Sequence, residues 1–208
     1  MWQTAKVKLV FLEKVCGSVP LKKELVGAWL EARMPKKKPE EGKTIEEIKE
    51  EILNSIEDVE EKVTLGFQSD SNGLFVRGGT IKAHLKDCAN QIKDVLKPQI
   101  KALRSKVANK LYIEEQWVHF SKDEQSVFKE DGEFDQPVHV MTALGPRNAL
   151  KTIRFLTQPS LEFMMRLMED REVTKEVVEQ IFRYGSIHGY GGERGMGEGR
   201  YKFEIEWE

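Results

Sequence analysis

The sequence feature that most constrains the fold is a glycine cluster followed by a strictly alternating segment. Seven glycines lie between residues 185 and 199: Gly185, Gly189, Gly191, Gly192, Gly195, Gly197 and Gly199. After them, large apolar residues alternate with charged ones, the pattern of a strand that buries one face: Tyr201, Phe203, Ile205 and Trp207 against Lys202, Glu204 and Glu206. Before them, Thr174 can cap a helix over Val177–Tyr184. We therefore expect a helix, a glycine loop and a final strand that is central or near-central in an antiparallel sheet, with its apolar face against helices.

The composition of the glycine loop indicates a ligand. Glycine is favoured where the backbone needs positive φ or must let another surface come close. A cluster this dense therefore predicts a loop shaped around a ligand. Cations and rings are interleaved with the glycines: Arg183, Tyr184, His188, Tyr190, Arg194, Arg200 and Lys202. Backbone N–H donors, cations and stacking rings together suit a phosphodiester backbone. The alternative is a mobile linker; a dinucleotide-binding loop is disfavoured because its glycines precede a helix.

Charge and cysteine content narrow the function classes. The chain has 208 residues, 33% of them charged, yet its formal net charge is only -2, so nucleic-acid contact would need local segregation of charge. Cys16 and Cys88 form no C-x-x-C motif, and the four histidines show no ligand spacing. These patterns predict a reduced cytoplasmic protein with no metal site and no cofactor. No apolar run approaches the length of a membrane span, so no membrane partner is expected.

Periodicity along the rest of the chain predicts an α+β fold, an antiparallel sheet with helices inserted mainly in the first half. Helices are expected at Leu21–Met34, at an acidic segment that begins with a capping box at Thr44 and runs to Lys62, and after Gly78. Residues 35–42 form a charged break. The expected strands are Lys6–Glu13, Val63–Phe67, Leu74–Arg77, Gln116–Ser121, Pro137–Ala143, Lys151–Leu156 and Leu161–Met168. The expected turns are Ser69–Gly73, Gly145–Asn148, Thr157–Ser160 and an Asp-Gly hairpin within Lys129–Phe134.

The helix that opens with Gly78 and Gly79 has a cationic stripe. At about 100° per residue, one flank carries the basic side chains Lys82, Lys86, Lys93, Lys97 and Arg104, while the apolar residues gather on another. Pro98 should kink or split the helix, so the stripe is defined mainly up to Lys97. The stripe fits either a phosphate track or a merely solvated face.

Two motifs together resemble those of a known family. Residues 191–200, Gly-Gly-Glu-Arg-Gly-Met-Gly-Glu-Gly-Arg, resemble the glycine-rich loop of the RAMP superfamily, the RNA-binding proteins of CRISPR effector complexes. Residues 75–86 resemble the Pro-Gly-Ser-Ser-Leu-Lys-Gly-x-Leu-Arg element that opens a helix in the backbone subunits of those complexes, although Arg77-Gly78-Gly79 replaces Pro-Gly-Ser. The resemblance covers about half of the chain. It implies one ferredoxin-like, RRM-like domain over residues 1–208, with 35–62 as a charged linker and acidic helical insertion.

The same resemblance implies a function. It suggests a non-catalytic protein of antiviral defence that binds single-stranded RNA, guide or target, and that self-associates or joins other ribonucleoprotein subunits. The residues it places near the RNA, with Lys93 added from the stripe, are Gly79, Thr80, Lys82, Lys86, Lys93, Gly192, Arg194, Gly197 and Arg200.

Two alternatives stay open. A metal-independent CRISPR-RNA-processing endoribonuclease would need a general acid and base, for which His188 and His84 are the candidates. His119 and His139 lie among apolar strand residues, where a structural role is expected. Target slicing is disfavoured, because the segment Cys16–Pro20 offers no acidic residue. The other alternative is a viral or protein-interaction component that mimics such a subunit, with recognition carried by the acidic helix.

Overall fold

The structure is a computed structural model that describes residues 1–21, 63–142 and 145–208, and their side chains except those of 138–149. The chain divides into two compact units. The first contains Met1–Val19, Gly66–Glu133 and Arg154–Glu208, and the second contains Pro20–Leu65 and Phe134–Ile153. Apart from Leu21, the predicted helix at Leu21–Met34 and the predicted insertion at 35–62 lie outside the described residues. The assignment of the whole chain to one domain therefore stays a prediction.

The described elements are numbered in chain order. The strands are β1 Trp2–Phe11, β2 Lys14–Cys16, β3 Val19–Pro20, β4 Val63–Gly66, β5 Gln68–Asp70, β6 Gly73–Arg77, β7 Leu111–Ile113, β8 Trp117–Lys122, β9 Gln125–Ser126, β10 Gly132–Thr142, β11 Gly145–Thr157, β12 Ser160–Met168 and β13 Tyr201–Trp207. The helices are α1 Gly78–Ile92, α2 Leu103–Lys110 and α3 Lys175–His188. A short 3-10 turn covers Arg194–Met196.

The first unit is built on an antiparallel sheet with the strand order β13-β1-β12-β8-β6-β5. β7 also pairs with β12, and β9 pairs with β8. Along the chain, β1, α1, β8, β12, α3 and β13 follow the β-α-β-β-α-β sequence of a ferredoxin-like fold. The predicted α+β, ferredoxin-like class is confirmed.

One face of this sheet forms the core with the helices. In β1, Ala5, Val7, Leu9 and Phe11 are buried, while Lys6 and Val10 between them are exposed. The same core contains Ile81 and Leu85 of α1 and Val178, Ile181 and Phe182 of α3. Because side chains alternate along a strand, the other face of the sheet is left to polar residues over much of its width. The helices and the glycine loop therefore lie on one side of the sheet.

In the second unit, the parts of β10 and β11 that belong to it pair as neighbouring strands, and β11 runs parallel to β4. The predicted turn at Gly145–Asn148 is wrong, because these residues form the start of β11. Residues 143 and 144, which precede that strand, lie outside the described residues. Gly and Pro at 145 and 146 signalled a turn, but both residues are tolerated at a strand's beginning.

The prediction for the final strand is half correct. The alternation is confirmed: Tyr201 is buried, Phe203, Ile205 and Trp207 are half-buried, and the charged residues between them are exposed. The ring of Phe203 lies 5.6 Å from that of Phe182 in α3. However, β13 is the edge strand of the order given above, not a central one. Alternation of apolar and charged residues shows which face of a strand is buried. An edge strand with one buried face gives the same pattern as a central strand with one buried face.

Three local predictions are corrected. β1 covers Trp2–Phe11 rather than Lys6–Glu13. Helix α1 ends at Ile92, before Pro98, so the expected split occurs earlier than the proline. The tight hairpin is not at Asp131-Gly132, since Gly132 begins β10. It joins β8 to β9 through Asp123 and Glu124, whose φ angles are 47° and 65°. Asn-Gly and Asp-Gly are only the commonest solutions for such a turn, and an Asp-Glu pair adopts it here.

Candidate nucleic-acid interface

The glycine loop packs against helix α1, which brings the two sequence motifs together. The hydroxyls of Thr80 and Tyr190, 110 positions apart, are 2.8 Å from each other. Arg194 Nη1, at the tip of the loop, donates to Asp87 Oδ2 at 3.3 Å across 107 positions. Gly79 and Thr80, at the first turn of α1, are both exposed. The glycine loop thus lies along α1, with Tyr190 at the start of the helix and Arg194 at Asp87 about two turns later.

The base of the loop is held by backbone contacts. Gly199 N–H donates to Lys14 O at 2.8 Å, and Tyr190 N–H donates to Gly199 O at 2.8 Å. Gly199 has a φ of +77°, and a Cβ there would lie 1.9 Å from Tyr190 O. Gly192 also helps to hold the base of the loop, because its N–H donates to Cys16 O at 2.9 Å. These glycines are explained by packing within the chain.

The tip of the loop is different. Arg194–Met196 form the 3-10 turn, and Gly195 and Met196 are exposed. A Cβ at Gly195 or at Gly197 would meet no atom within 4 Å, although Gly197 has a φ of +88°. A Cβ at Gly79, on the adjacent helix, would also meet nothing. Backbone is therefore open to a ligand at both places.

Four buried polar side chains lie beneath the glycine loop and α1: His84, Cys88, Tyr190 and Tyr201. His84 Nε2 lies 3.0 Å from the hydroxyl of Tyr201, and His84 is only 7% exposed. Burial, aided by the nearby Arg194, lowers the pKa of His84 to about 4. Burial also raises the pKa of Cys88 and that of Tyr190 to about 12 each, and raises the pKa of Tyr201. At neutral pH the whole group is uncharged, so His84 serves as a neutral structural residue in this structure.

His188, the other candidate for catalysis, lies at the end of α3 above His84. The two imidazole rings are nearly parallel with centroids 6.5 Å apart. Arg194 Nη1 is 3.0 Å from His188 Nε2, and because a guanidinium only donates, that nitrogen must be the acceptor. Asp87 Oδ2 is 3.4 Å from the same nitrogen. Arg194 therefore links Asp87 and His188, and it uses the lone pair that a general base would need.

The lysine stripe flanks the exposed arc of α1 on the side away from the loop. At about 100° per residue, Lys82, Lys86 and Lys93 share one flank, while Thr80 and Asp87 share the other. Lys82 Nζ lies 4.0 Å from the centroid of the Tyr112 ring. The pKa of Lys82 is lowered, mainly because the side chain is partly buried and secondly because the positive charge of Lys86 is near. Lys93 is the C-terminal cap of the helix and donates to Asn90 at 3.5 Å.

The structure brings together only part of the predicted set. Gly79 and Thr80 lie at the start of α1, Thr80 contacts the glycine loop at Tyr190, and Arg194 contacts the same helix at Asp87. The first lysines of the stripe lie along that helix too. Arg200 is placed at the base of the loop, where its backbone carbonyl accepts from Leu12 and its side chain is 4.0 Å from Glu13. Lys97 and Arg104 fall beyond the end of α1. The side chain of His139 lies outside the described ones.

Sequence reasoning missed two residues that shape the site. Asp87 holds Arg194 in place, and Tyr112 supports Lys82. A helical wheel already puts Asp87 on the flank of Thr80 and His84, so that residue could have been found by looking for anions as well as cations. Tyr112 comes from a strand in another part of the chain, and no local pattern signals it. His119, expected in a structural role, has its Nε2 2.9 Å from Asp70 Oδ1.

The described part of the chain holds neither a metal-binding cluster nor a membrane-spanning helix. No group of three or more His, Cys, Asp or Glu side chains is arranged to hold a metal ion there. No helix in the same residues has both the length and the apolar character needed to cross a membrane.

Comparisons with known proteins give structural similarity alone. No protein-family model matches this chain, and no curated protein matches it. A chain in the "Cryo-EM structure of the Type III-B Cmr-beta bound to cognate target RNA" matches with a TM-score of 0.47 and 10% identity. That match covers 99% of this chain, which thus spans 61% of the length of the other. A chain of the "Type IV-B CRISPR Complex" matches with a TM-score of 0.48 and 10% identity, over 97% of this chain and 90% of that one. At this level the similarities carry no functional assignment.

The low pKa of His84 predicts a pH-dependent stability. Because its pKa falls from the ordinary value of 6.5 to about 4 on folding, the unfolded chain takes up the proton first as the pH falls. The free energy of unfolding should therefore drop by about 2 to 3 kcal/mol between pH 7 and pH 4.5 through this residue. Urea unfolding at both pH values should give a smaller drop for His84→Gln, which keeps a hydrogen-bonding group that does not titrate. Equal drops in the parent and the variant would contradict the prediction.

The glycines at the base and the tip of the loop should differ in their tolerance of alanine. Gly199→Ala should lower the free energy of unfolding by roughly 3 kcal/mol or more, because it adds a backbone clash to a positive φ. Gly195→Ala should change it by about 0.5 kcal/mol or less, since the added methyl group meets open space. Thermal unfolding followed by circular dichroism measures both. A large loss in Gly195→Ala would mean that the tip is packed rather than open.

Proposed function

We propose that this protein binds single-stranded RNA without cleaving it, as a non-catalytic component of a CRISPR-type ribonucleoprotein. The observation that carries the proposal is the contact between α1 and the glycine loop, through Thr80 with Tyr190 and Asp87 with Arg194, which lie within or directly beside the two motifs. Residues that are far apart in sequence, and that resemble RNA-binding elements of one family, lie on one surface. The proposal includes partners of two kinds, the RNA strand and either further copies of this chain or other subunits.

The surface offers three features that suit a phosphate chain. The first turn of α1 leaves backbone N–H groups without intrahelical acceptors, and it holds no acidic residue. The loop tip exposes backbone at Gly195 and Gly197, beside the Arg194 guanidinium. Lys82 and Lys86 continue the positive charge along the helix. A strand crossing the exposed arc of α1 would contact all three, and contacts of this kind carry no base preference.

The geometry favours binding over cleavage. Acid–base cleavage of RNA needs groups that reach the 2′-OH and the leaving oxygen. His84 is buried and neutral, and Arg194 occupies the lone pair of His188. The endoribonuclease alternative retains one favourable observation, the stacked pair of His84 and His188. A general acid–base mechanism would require that pair to rearrange when RNA binds.

RNA binding should depend on the lysine stripe and on salt. Lys82→Ala with Lys86→Ala should weaken the binding of a fluorescein-labelled U12 oligoribonucleotide roughly tenfold or more at low salt, with little dependence on base sequence. The slope of log K against log salt should become shallower by about 0.7 for each phosphate that the variant no longer neutralises. Fluorescence anisotropy titrations at several salt concentrations measure both quantities.

A matched control is available in α2. Lys106 and Lys110 have the same spacing as Lys82 and Lys86, and they pair with Glu172 and Asp170 rather than with residues of the glycine loop. Lys106→Ala with Lys110→Ala removes the same charge and should leave the affinity within about twofold of the parent. Equally weakened binding in the two double variants would indicate a nonspecific charge effect, and an unchanged affinity in both would leave the stripe as a solvated face. If the parent binds no RNA at all, the protein-interaction alternative is favoured.

The cleavage alternative has its own test. We expect no products when end-labelled RNA is incubated with the parent protein in EDTA, and we expect His188→Ala to weaken binding by about 1 kcal/mol, the scale of one hydrogen bond. Site-specific products that form in EDTA and decline roughly 10²–10⁴-fold in rate in His188→Ala would establish general acid–base catalysis instead.

A further inference from the structure

We propose that Trp117, on the sheet face away from the helices, stacks on an unpaired base of the bound strand. This inference rests on the proposed RNA binding and adds a base contact to a surface that otherwise offers only phosphate contacts. Trp117 is 50% exposed, although it begins a strand whose neighbouring residues Val118 and Phe120 are buried. A half-exposed indole on a rigid strand presents a ring face at little cost in side-chain entropy.

A small aromatic cluster supports the indole. The register of β6 and β8 pairs Phe75 with His119 and Arg77 with Trp117, which places these four residues on one face of the sheet. The Phe75 ring lies 5.7 Å from that of Trp117 and 5.6 Å from that of His119. Phe75 is itself only 8% exposed, so it supports the neighbouring rings from beneath. The outer part of the Trp117 ring is the part left to a ligand.

Polar contacts fix the rim of this cluster. Asp70 Oδ1 and Oδ2 lie 2.9 and 3.0 Å from His119 Nε2. Arg77 Nε donates to Gln68 Oε1 at 2.9 Å, which orients a guanidinium that is otherwise exposed. A positively charged, oriented group beside an exposed ring suits a nucleotide, whose base stacks while its phosphate accepts hydrogen bonds.

The cluster adjoins the start of α1. Arg77 is the N-cap residue of that helix, and Gly78 N–H donates to Gln116 O at 3.0 Å, one residue before Trp117. The open backbone at Gly79 is therefore two residues along the chain from Arg77, the cross-strand partner of Trp117. Phosphate contacts and a stacking platform at neighbouring positions are the combination that binds single strands without sequence preference.

Strands β1 and β12 do not offer this chemistry on the same face. There Glu162 pairs with Lys6 at 3.2 Å and with Lys8 at 3.0 Å, so charged side chains cover the sheet at β1 and β12. A flat base would have to displace these ion pairs. The part of this face formed by β6 and β8 is therefore where we place the base.

Three substitutions test the proposal with labelled U12 and with its abasic counterpart. Trp117→Leu should weaken binding of U12 roughly tenfold, and Trp117→Phe should retain most of the affinity because a phenyl ring still stacks. On the abasic strand, all these variants and the parent should bind equally, since no base is present. Phe128→Leu removes another ring, one that is 65% exposed and lies outside the cluster, and should leave binding of U12 unchanged. Binding of U12 should also quench more tryptophan emission in the parent than in Trp117→Phe.

Each possible result bears on stacking and on RNA binding separately. If Trp117→Leu binds U12 as tightly as the parent while the Lys82 and Lys86 double variant binds weakly, RNA binding stands and base stacking is wrong. If Trp117→Leu is weakened to the same degree on the abasic strand, Trp117 acts through the backbone or the fold and the inference is also wrong. If the variant keeps its RNA affinity but no longer self-associates, the cluster is a protein interface instead. If the parent binds neither strand, the proposed function fails, and the stacking role fails with it.

Discussion

The site depends on the close approach of α3 to α1 at Gly185. A Cβ at this position would lie 2.3 Å from the hydroxyl of Tyr201 and 2.9 Å from Nε2 of His84. Only a residue without a side chain lets the tyrosine of the last strand reach the histidine of the first described helix. The hydrogen bond between them gives the buried Tyr201 hydroxyl and His84 Nε2 a partner each. Through this contact, one strand and two helices are held at the distance that the glycine loop spans.

The loop divides its glycines between two physical roles. At the base, glycines allow backbone groups of the loop to hydrogen-bond Lys14 and Cys16 of β2. At the tip, glycine leaves empty space beside Arg194. A loop that is fixed at its base and open at its tip can present backbone donors in a set geometry without collapsing onto its own chain. This arrangement accounts for a glycine density that would be costly in a simple linker.

Much of the architecture follows from pattern, and the exceptions have physical causes. Alternation in Tyr201–Trp207 and capping by Thr174 predict the last strand and helix correctly, because both signals depend on neighbouring residues alone. The position of β13 within the sheet could not be predicted, since pairing partners are set by tertiary packing. The same holds for the site: glycines and lysines are visible in the sequence, whereas the Asp87 to Arg194 contact spans 107 positions. The residues around Trp117 predict the strand β8 correctly. The aromatic cluster of Trp117 also includes residues of β6, and no local sequence pattern shows that β6 pairs with β8.

Because Arg194 already pairs with Asp87, the Asp87 carboxylate competes with any bound phosphate for the guanidinium of Arg194. An arginine that already has a carboxylate partner can contact a phosphate only by sharing its donors or by exchanging one anion for another. The contribution of Arg194 to affinity is then the free energy of its contact with phosphate minus that of the contact with Asp87 that it gives up. The exchange would also leave the Asp87 carboxylate 3.4 Å from Nε2 of His188 without the guanidinium that now pairs with it.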